Sequence, residues 1–373
     1  MMRIAVLFWF ITLAATAQAQ ITLRGRVINA ADEQPVPFCS VFLANTNKGT
    51  TADENGAFTL TNVPEGRYEL VVSSVGFETW TQRLSGQSDD ALLIRVQPTT
   101  TQLKEVEVNA FGPEWEKQYA LFKQFFLGTS KNAQQCQILN PKAIWFEQDP
   151  ATGRLTGGAR KPLMIENLAL GYRIQYVLDR FEAEPNQQAV TYLGYPVFDD
   201  IKPKNRREEL RWQRARLDTY AGSTLHFLRA LYARKTNEQG FIIRRVLERA
   251  TDSSRVNGDW QVRKARFLVK DPLPPTFLID DRESTESAKA LTFDTPIQVI
   301  FKGEPEPPEY QDVPDEQGTL GRTAGVQTSL IRLTKPMVLL EANGNYYEPL
   351  GLAFEGYWGW EKMGDLLPLT YQP

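Results

Sequence analysis

The stretch Gly49–Phe77, GTTADENGAFTLTNVPEGRYELVVSSVGF, limits what this chain can fold into more than any other part of it. Turn chemistry is written at two points. Asp53-Glu54-Asn55-Gly56 places an Asn-Gly pair between short strand-like runs, the strongest local hairpin signal. Val63-Pro64-Glu65-Gly66 follows, with proline fixing φ at the second turn position and glycine closing the turn. Between the turns, Phe58 and Leu60 alternate with Thr59 and Thr61, the period of a strand with one buried face. After Gly66, Tyr68, Leu70 and Val72 fall on one face and Val71 and Val75 on the other. A strand this apolar on both faces is expected to be central. The stretch implies a small all-β domain and no chemistry.

At 373 residues the chain is long for one core, and two domains are the default expectation. A hydrophobic share of 42% with 23% charged residues is that of a globular protein. The formal net charge of -3 gives no electrostatic reason to expect nucleic acid or an acidic membrane surface. Residues 1–19 read as a secretory signal peptide. Arg3 supplies the positive region, Ile4 to Leu13 a short apolar core, and Ala17-Gln18-Ala19 a small-x-small cleavage site. Neither this run nor any later one is long enough to span a bilayer, so no transmembrane segment is expected in the mature chain. No cysteine stands at the cleavage point, which leaves a lipid anchor unsupported. Export makes the two cysteines, Cys39 and Cys136, a candidate disulfide between the domains. The alternative is two buried thiols acting as small hydrophobes, and spacing alone does not decide between them.

From Ile21 the pattern is β throughout. Runs at 22–28, 38–44, 49–52, 57–61, 67–74, 79–84 and 92–96 are separated by Pro, Gly and Asn, which predicts a β-sandwich at about 20–109. Leu103–Val108 belongs either to that sandwich or to the linker after it. The segment from Gly25 to Thr79 carries G-x-V, a proline-containing turn, a hydrophobic strand, G-T-x-x-D-x-x-G-x-F, V-P-x-G-x-Y and S-x-x-G-F-E. In these linked motifs residues 22 to about 96 resemble the carboxypeptidase regulatory-like domain. The resemblance implies a transthyretin-like seven-stranded sandwich, found beside metallocarboxypeptidase domains and at the front of many exported proteins of Gram-negative bacteria. It commonly precedes the plug of TonB-dependent outer-membrane receptors, and LKEVEV (Leu103–Val108) is similar to the segment that follows it there. The remaining chain lacks the repeated ten-residue alternation of a barrel.

An α+β domain is expected at 110–373. Pro113 suits a first helical turn, Trp115, Tyr119, Phe122 and Phe126 fall at helical spacing, and Gly128 suits the end. Strand-like runs follow at 143–147, 163–167, 172–181 and 189–197. Residues 204–236 change to a helical period, with Leu210, Leu217 and Tyr220 as one stripe. After a break at Ala221-Gly222, Ser223 suits the cap of a second helix with Leu225, Leu228, Leu231 and Tyr232 as its stripe. Phe241–Leu247 and much of 259–345 read as strands. Gly303–Gly318, with six acidic residues, four prolines and no basic residue, reads as an exposed loop. A short helix is expected around Glu361–Leu366. GP-x-W at Gly112, the segment Cys136–Pro141, LALGYRIQYVLDRF, YAGSTLHFLRAL and WEKMGDLLPLTY resemble an uncharacterised second domain of some exported regulatory-like-domain proteins, which brings no activity with it.

Zinc carboxypeptidase chemistry needs a His-x-x-Glu pair and a distant histidine, so that one coordination position stays open. The chain has one histidine, His226, with Arg229 where the glutamate would stand. His226 also lies three residues after Ser223 without a Gly-x-Ser-x-Gly elbow. It is either a general base with distant partners or a histidine packed near a helix cap. Asp199-Asp200 and Asp280-Asp281 are adjacent acids, which on a strand point to opposite faces and make poor acid/base pairs. No phosphate-cradling glycine loop occurs. The acidic loop is weighed as a Ca²⁺ or basic-partner site against a solvated loop. Tyr357, Trp358 and Trp360 could form an aromatic platform for sugar or peptide, with Trp358 and Trp360 sharing a face on a strand, or could pack the terminal segment on the core. The basic run Lys202–Arg216, interleaved with Glu208, Glu209 and Asp218, reads as a solvated helix. These readings make an exported envelope protein, periplasmic or outer-membrane-associated, with a non-enzymatic binding or scaffolding role. Its partners would be envelope proteins, peptide or glycan, with no nucleic acid, cofactor or metal. The alternative is a hydrolase with an unrecognised site in 110–373.

Overall fold

In the computed structural model, which describes residues 21–85, 91–99, 111–256, 259–311, 322 and 325–373, the two turns of the opening stretch join different sheets. The strands are β1 (Ile21–Asn29), β2 (Ser40–Leu43), β3 (Gly49–Thr51), β4 (Ala57–Val63), β5 (Arg67–Ser73), β6 (Trp80–Ser85) and β7 (Leu92–Val96). One sheet runs β4-β1-β7 and the other β3-β2-β5-β6. This is the seven-stranded sandwich expected from the sequence, with one correction. The Asn-Gly turn closes no hairpin, because β3 pairs with β2 and β4 with β1. Phe58 and Leu60 from one sheet meet Leu70 and Val72 from the other in a shared core, and a hairpin would put them on the same side. The turn chemistry still operates locally. Asp53 Oδ1 accepts from the amides of Asn55 (2.8 Å) and Ala57 (2.9 Å), and Gly56 takes φ +73° with its α-carbon against Val27.

Strand β5 lies between β2 and β6, central as expected. Its second apolar face is covered by the rest of the chain. Val71, with Phe42 and Ala44, packs on Val177 and Val197 of the following region. Backbone bonds from Asn45 N to Pro196 O (2.7 Å) and from Phe198 N to Thr46 O (2.9 Å) fix that contact. Val75 lies beyond the strand and is exposed, so the second face is shorter than the sequence suggested.

The following region holds two cores. Helix α1 (Pro113–Phe126) lays Phe122, Phe125 and Phe126 on a six-stranded sheet. That sheet comprises β8 (Cys136–Ile138), β9 (Ile144–Gln148), β10 (Leu155–Ala159), β11 (Leu163–Asn167), β12 (Tyr172–Glu184) and β13 (Ala189–Asp200), ordered β8-β11-β12-β10-β9 with β13 on β12. Gly128, at φ +94°, ends α1 as anticipated, its amide bonding to Lys123 O. Helices α2 (Arg206–Tyr220) and α3 (Thr224–Tyr232) follow, and Ser223 Oγ caps α3 by accepting from His226 N at 3.2 Å. The stripe expected on α2 is overturned: Leu210 and Leu217 are exposed, and Trp212 and Thr219 are buried. Trp212 wins that face because its indole seats on Gly171 and donates to Leu168 O at 2.8 Å.

The second core lies between α3 and a five-stranded sheet. Strands β14 (Phe241–Val256), β15 (Asp259–Pro272), β16 (Ile279–Asp280), β17 (Ala288–Leu291), β18 (Ile297–Phe301), β19 (Gln327–Leu333), β20 (Val338–Glu341) and β21 (Leu352–Gly356) make it up, with order β15-β14-β18-β19-β21 and a small sheet β16-β17-β20. Two short helices, α4 (Pro308–Gln311) and α5 (Tyr357–Trp360), complete it. Residues 361–366 hold only a 3₁₀ turn at Met363–Asp365 in place of the expected helix. Within the described part of the acidic loop, Glu306 and Tyr310 are buried, against expectation. Arg322 bonds the Glu306 carboxylate at 3.2 Å and lies over the Tyr310 ring, so the charge is neutralised inside. The signal segment, Leu103–Val108 and residues 312–321 lie outside the described residues. No helix among the described residues is long and apolar enough to cross a membrane.

Candidate functional site

Strand alternation puts Arg67 and Glu69 on the same face of β5 as Val71, and Arg83 of β6 opposite Glu69. At Val71 that face is closed by packing. Toward Arg67 it opens into a cleft of about 400 Å³ against the second core. Leu84, Met337 and Leu339 form its apolar wall, and Arg67, Arg83, Tyr347 and Glu348 its polar one. Small-molecule sites are often found at such junctions between folded units and in this size range.

The two guanidiniums face one aromatic ring, Arg67 at 5.9 Å and Arg83 at 5.5 Å from the Tyr347 centroid. Their ion pairs are long: Arg67 to Glu341 3.9 Å, Arg83 to Glu69 3.8 Å and to Glu348 3.9 Å. These separations exceed a hydrogen bond, so the donors of both forks are only loosely committed. Glu341, 3% exposed, anchors the floor by accepting from Arg67 N at 3.1 Å. Its Oε1 and the Tyr347 hydroxyl are buried without a well-formed hydrogen bond. Burial raises the Glu341 carboxyl above the ordinary carboxylate range, and burial together with Glu341 raises the Tyr347 phenol. Behind the floor, Arg229 of α3 donates to Asn343 O (3.0 Å), Tyr371 O (2.9 Å) and Leu369 O (2.9 Å). The residue that stands where a carboxypeptidase would have its glutamate is a backbone clamp. The cleft offers two planar cationic forks beside an apolar wall, an arrangement suited to a carboxylate on an apolar body.

The residues singled out in the sequence lie elsewhere. His226 is 9% exposed, stacked on Tyr220 and edged by Phe241 and Phe301. Its Nδ1 accepts from Gly222 N at 3.1 Å, which places the proton on Nε2, 3.1 Å from Gln239 Oε1. Burial lowers its pKa and keeps it neutral. Tyr357 and Trp358 are 8% and 5% exposed on α5, not on a strand. Trp358 donates to Gly222 O at 2.7 Å and packs on Phe227, while Trp360 donates to Thr129 Oγ1 at 3.0 Å. The disulfide is overturned: Cys39 and Cys136 are free, one inside the sandwich core and the other beside the six-stranded sheet. Burial pushes their thiols up to about 11 and about 12, with Asp365 adding to the second. Asp200 pairs with Arg216 at 2.8 Å, Asp280 with Arg282 at 2.7 Å, and Asp281 with Arg234.

A second ionisable group was not visible in the sequence. Asp365 Oδ1 accepts from Ser130 Oγ and Asn132 Nδ2, both at 2.9 Å, while its Oδ2 is buried without a partner. Burial pushes this carboxyl up to about 6 despite those bonds. Glu361 is raised by burial and by Asp365, and burial lowers Lys362 to about 8. Among the described residues no group of three or more His, Cys, Asp or Glu side chains is placed to hold a metal ion.

Residues 23–108 match the family model of the CarboxypepD_reg-like domain, as the motifs of the sandwich implied. The match ends there, and the resemblance of the later segments has no counterpart in it. No curated protein matches the chain. Among solved structures, a candidate carbohydrate binding protein from Bacteroides uniformis covers 48% of this chain and 78% of its own at 11% identity and a TM-score of 0.17. A candidate membrane-associated protein of unknown function from Bacteroides fragilis covers 90% and 93% at 10% identity and a TM-score of 0.18. At such TM-scores neither likeness bears on this fold or its function.

Proposed function

We propose that this protein, whose N-terminal sandwich is a CarboxypepD_reg-like domain, is an exported, non-enzymatic binding protein of the cell envelope. It holds a carboxylate-bearing ligand with an apolar body in the cleft between the sandwich and the second core. The observation that supports this reading is the pair of Arg67 and Arg83 guanidiniums, loosely paired over Tyr347 in a cleft of about 400 Å³. A ligand carboxylate would replace contacts of 3.8–3.9 Å by charge-assisted hydrogen bonds, which are roughly twice as strong as neutral ones. The apolar wall would take the adjoining side chain.

Calorimetry with N-acetyl-leucyl-leucine and its C-terminal amide tests the reading. The acid is expected to bind and the amide to bind at least about tenfold more weakly, about 1.4 kcal/mol. Equal affinity for the two, or none for either, contradicts it.

A hydrolase remains the second reading because burial and Asp365 raise the Glu361 carboxyl, and both carboxylates act on the phenol of Tyr357. Turnover in a hydrolase screen that Glu361→Gln and Asp365→Asn abolish would favour it.

A further inference from the structure

Strands β9 and β10 seat two aromatic rings on two adjacent glycines. In their register Trp145 faces Gly158 and Phe146 faces Gly157. Successive side chains leave opposite faces of a strand, so the two rings lie on opposite sides of the sheet. Phe146 turns inward onto Phe122 and Trp115. Trp145 turns outward, 40% exposed, the only tryptophan among the exposed large apolar side chains described. A Cβ on Gly158 would stand 2.9–3.0 Å from three indole atoms, so the indole rests on bare backbone. The N–H groups of Trp115, Trp212, Trp358 and Trp360 each reach a named acceptor, and that of Trp145 reaches none among the described residues.

The rim of this face is polar. Alternation places Glu147, Thr156, Arg180 and Glu182 on the same outer side, since Phe181 and Ala183 of β12 turn into the core. Arg180 and Arg154 both bond Glu182, at 2.7 and 3.3 Å. With Glu147, the two arginines and two carboxylates balance. Elsewhere on the same side of the sheet, Val177 and Val197 are covered by the sandwich.

The geometry points to this face as a binding site for a neutral glycan, one pyranose ring stacked by its C–H face on the outer side of Trp145. A flat, wet aromatic with a free N–H suits a ligand that is apolar on one face and rich in hydroxyls at its edge. The balanced rim offers hydroxyl partners without selecting a charged ligand, and it separates this site from the cationic cleft.

Calorimetry of the whole protein with xylohexaose, cellohexaose and mannohexaose tests the assignment. At least one is expected to bind. Trp145→Ala should weaken it by about tenfold or more with melting unchanged, and Trp145→Phe should lose less, because it keeps a ring over Gly158. Should the alanine variant not fold, quenching of indole fluorescence by the same sugars in the native protein, lost in Trp145→Phe, gives the same support. The assignment is overturned if no hexaose binds, if Trp145→Ala binds equally well, or if sedimentation shows a dimer that Trp145→Ala dissociates.

Discussion

Asp365 illustrates how single residues here take their properties from burial. Its carboxyl is lifted from the ordinary value of 3.8 to about 6. The folded state therefore binds the proton more tightly, and Asp365 favours folding below pH 4 and loses that contribution as pH rises through about 6. Asp365→Asn should flatten the pH dependence of melting between about 4 and 6 and raise Tm at pH 7.5 by roughly 2 °C, read by calorimetry. A lower Tm at pH 7.5 would show that the ionised carboxylate is needed where it lies. His226 is the converse case. Both ring nitrogens are engaged, so His226→Ala should cost about 2 kcal/mol in urea unfolding through the buried Gly222 amide it orphans, and leave ligand affinity unchanged. Its place at a helix cap was legible from Ser223 three residues earlier. Asp365 was not, because its partners Ser130 and Asn132 lie more than two hundred residues away and only folding brings them together.

At the scale of elements, local chemistry announced itself and pairing did not. The turn residues 53–56 were plain in the sequence, and Gly56→Ala should destabilise by about 2–3 kcal/mol in urea unfolding, since φ is +73° and the new Cβ would fall 2.4 Å from Val27 O. That the turn joins two sheets instead of closing a hairpin depends on which partner each strand finds, which alternation does not encode. Helix α2 shows a related limit. Leu210 and Leu217 carry the helical period, yet the nearest surface offers a glycine seat for Trp212 and leaves both leucines in solvent. Trp145 was likewise not legible. Its exposure follows from Gly158 on the neighbouring strand, a pairing set by register.

For the whole molecule, the sandwich is packed onto the rest. The two-faced apolarity of β5 is a sequence signal of this arrangement as well as of centrality; its outer face is the seam with β12 and β13. Val71→Ala should cost about 2 kcal/mol by removing two methyl groups from that seam, and should weaken cleft binding because Arg67 is carried four residues earlier on the same strand. Urea unfolding and calorimetry on the one variant report both; a stability loss with affinity intact would show that the seam does not position the cleft. The cleft stayed hidden because its walls come from residues 67–84 and 337–348, far apart in the chain, and the motifs of the first segment mark the sandwich and not a site.

In the proposed function Arg67 and Arg83 together hold a ligand carboxylate. The most direct measurement is calorimetry of N-acetyl-leucyl-leucine with the native protein and the Arg67→Gln/Arg83→Gln variant. A loss of about tenfold or more is expected in the variant, with an unchanged melting temperature and a native affinity that weakens as salt rises. Equal binding by the two proteins would contradict it.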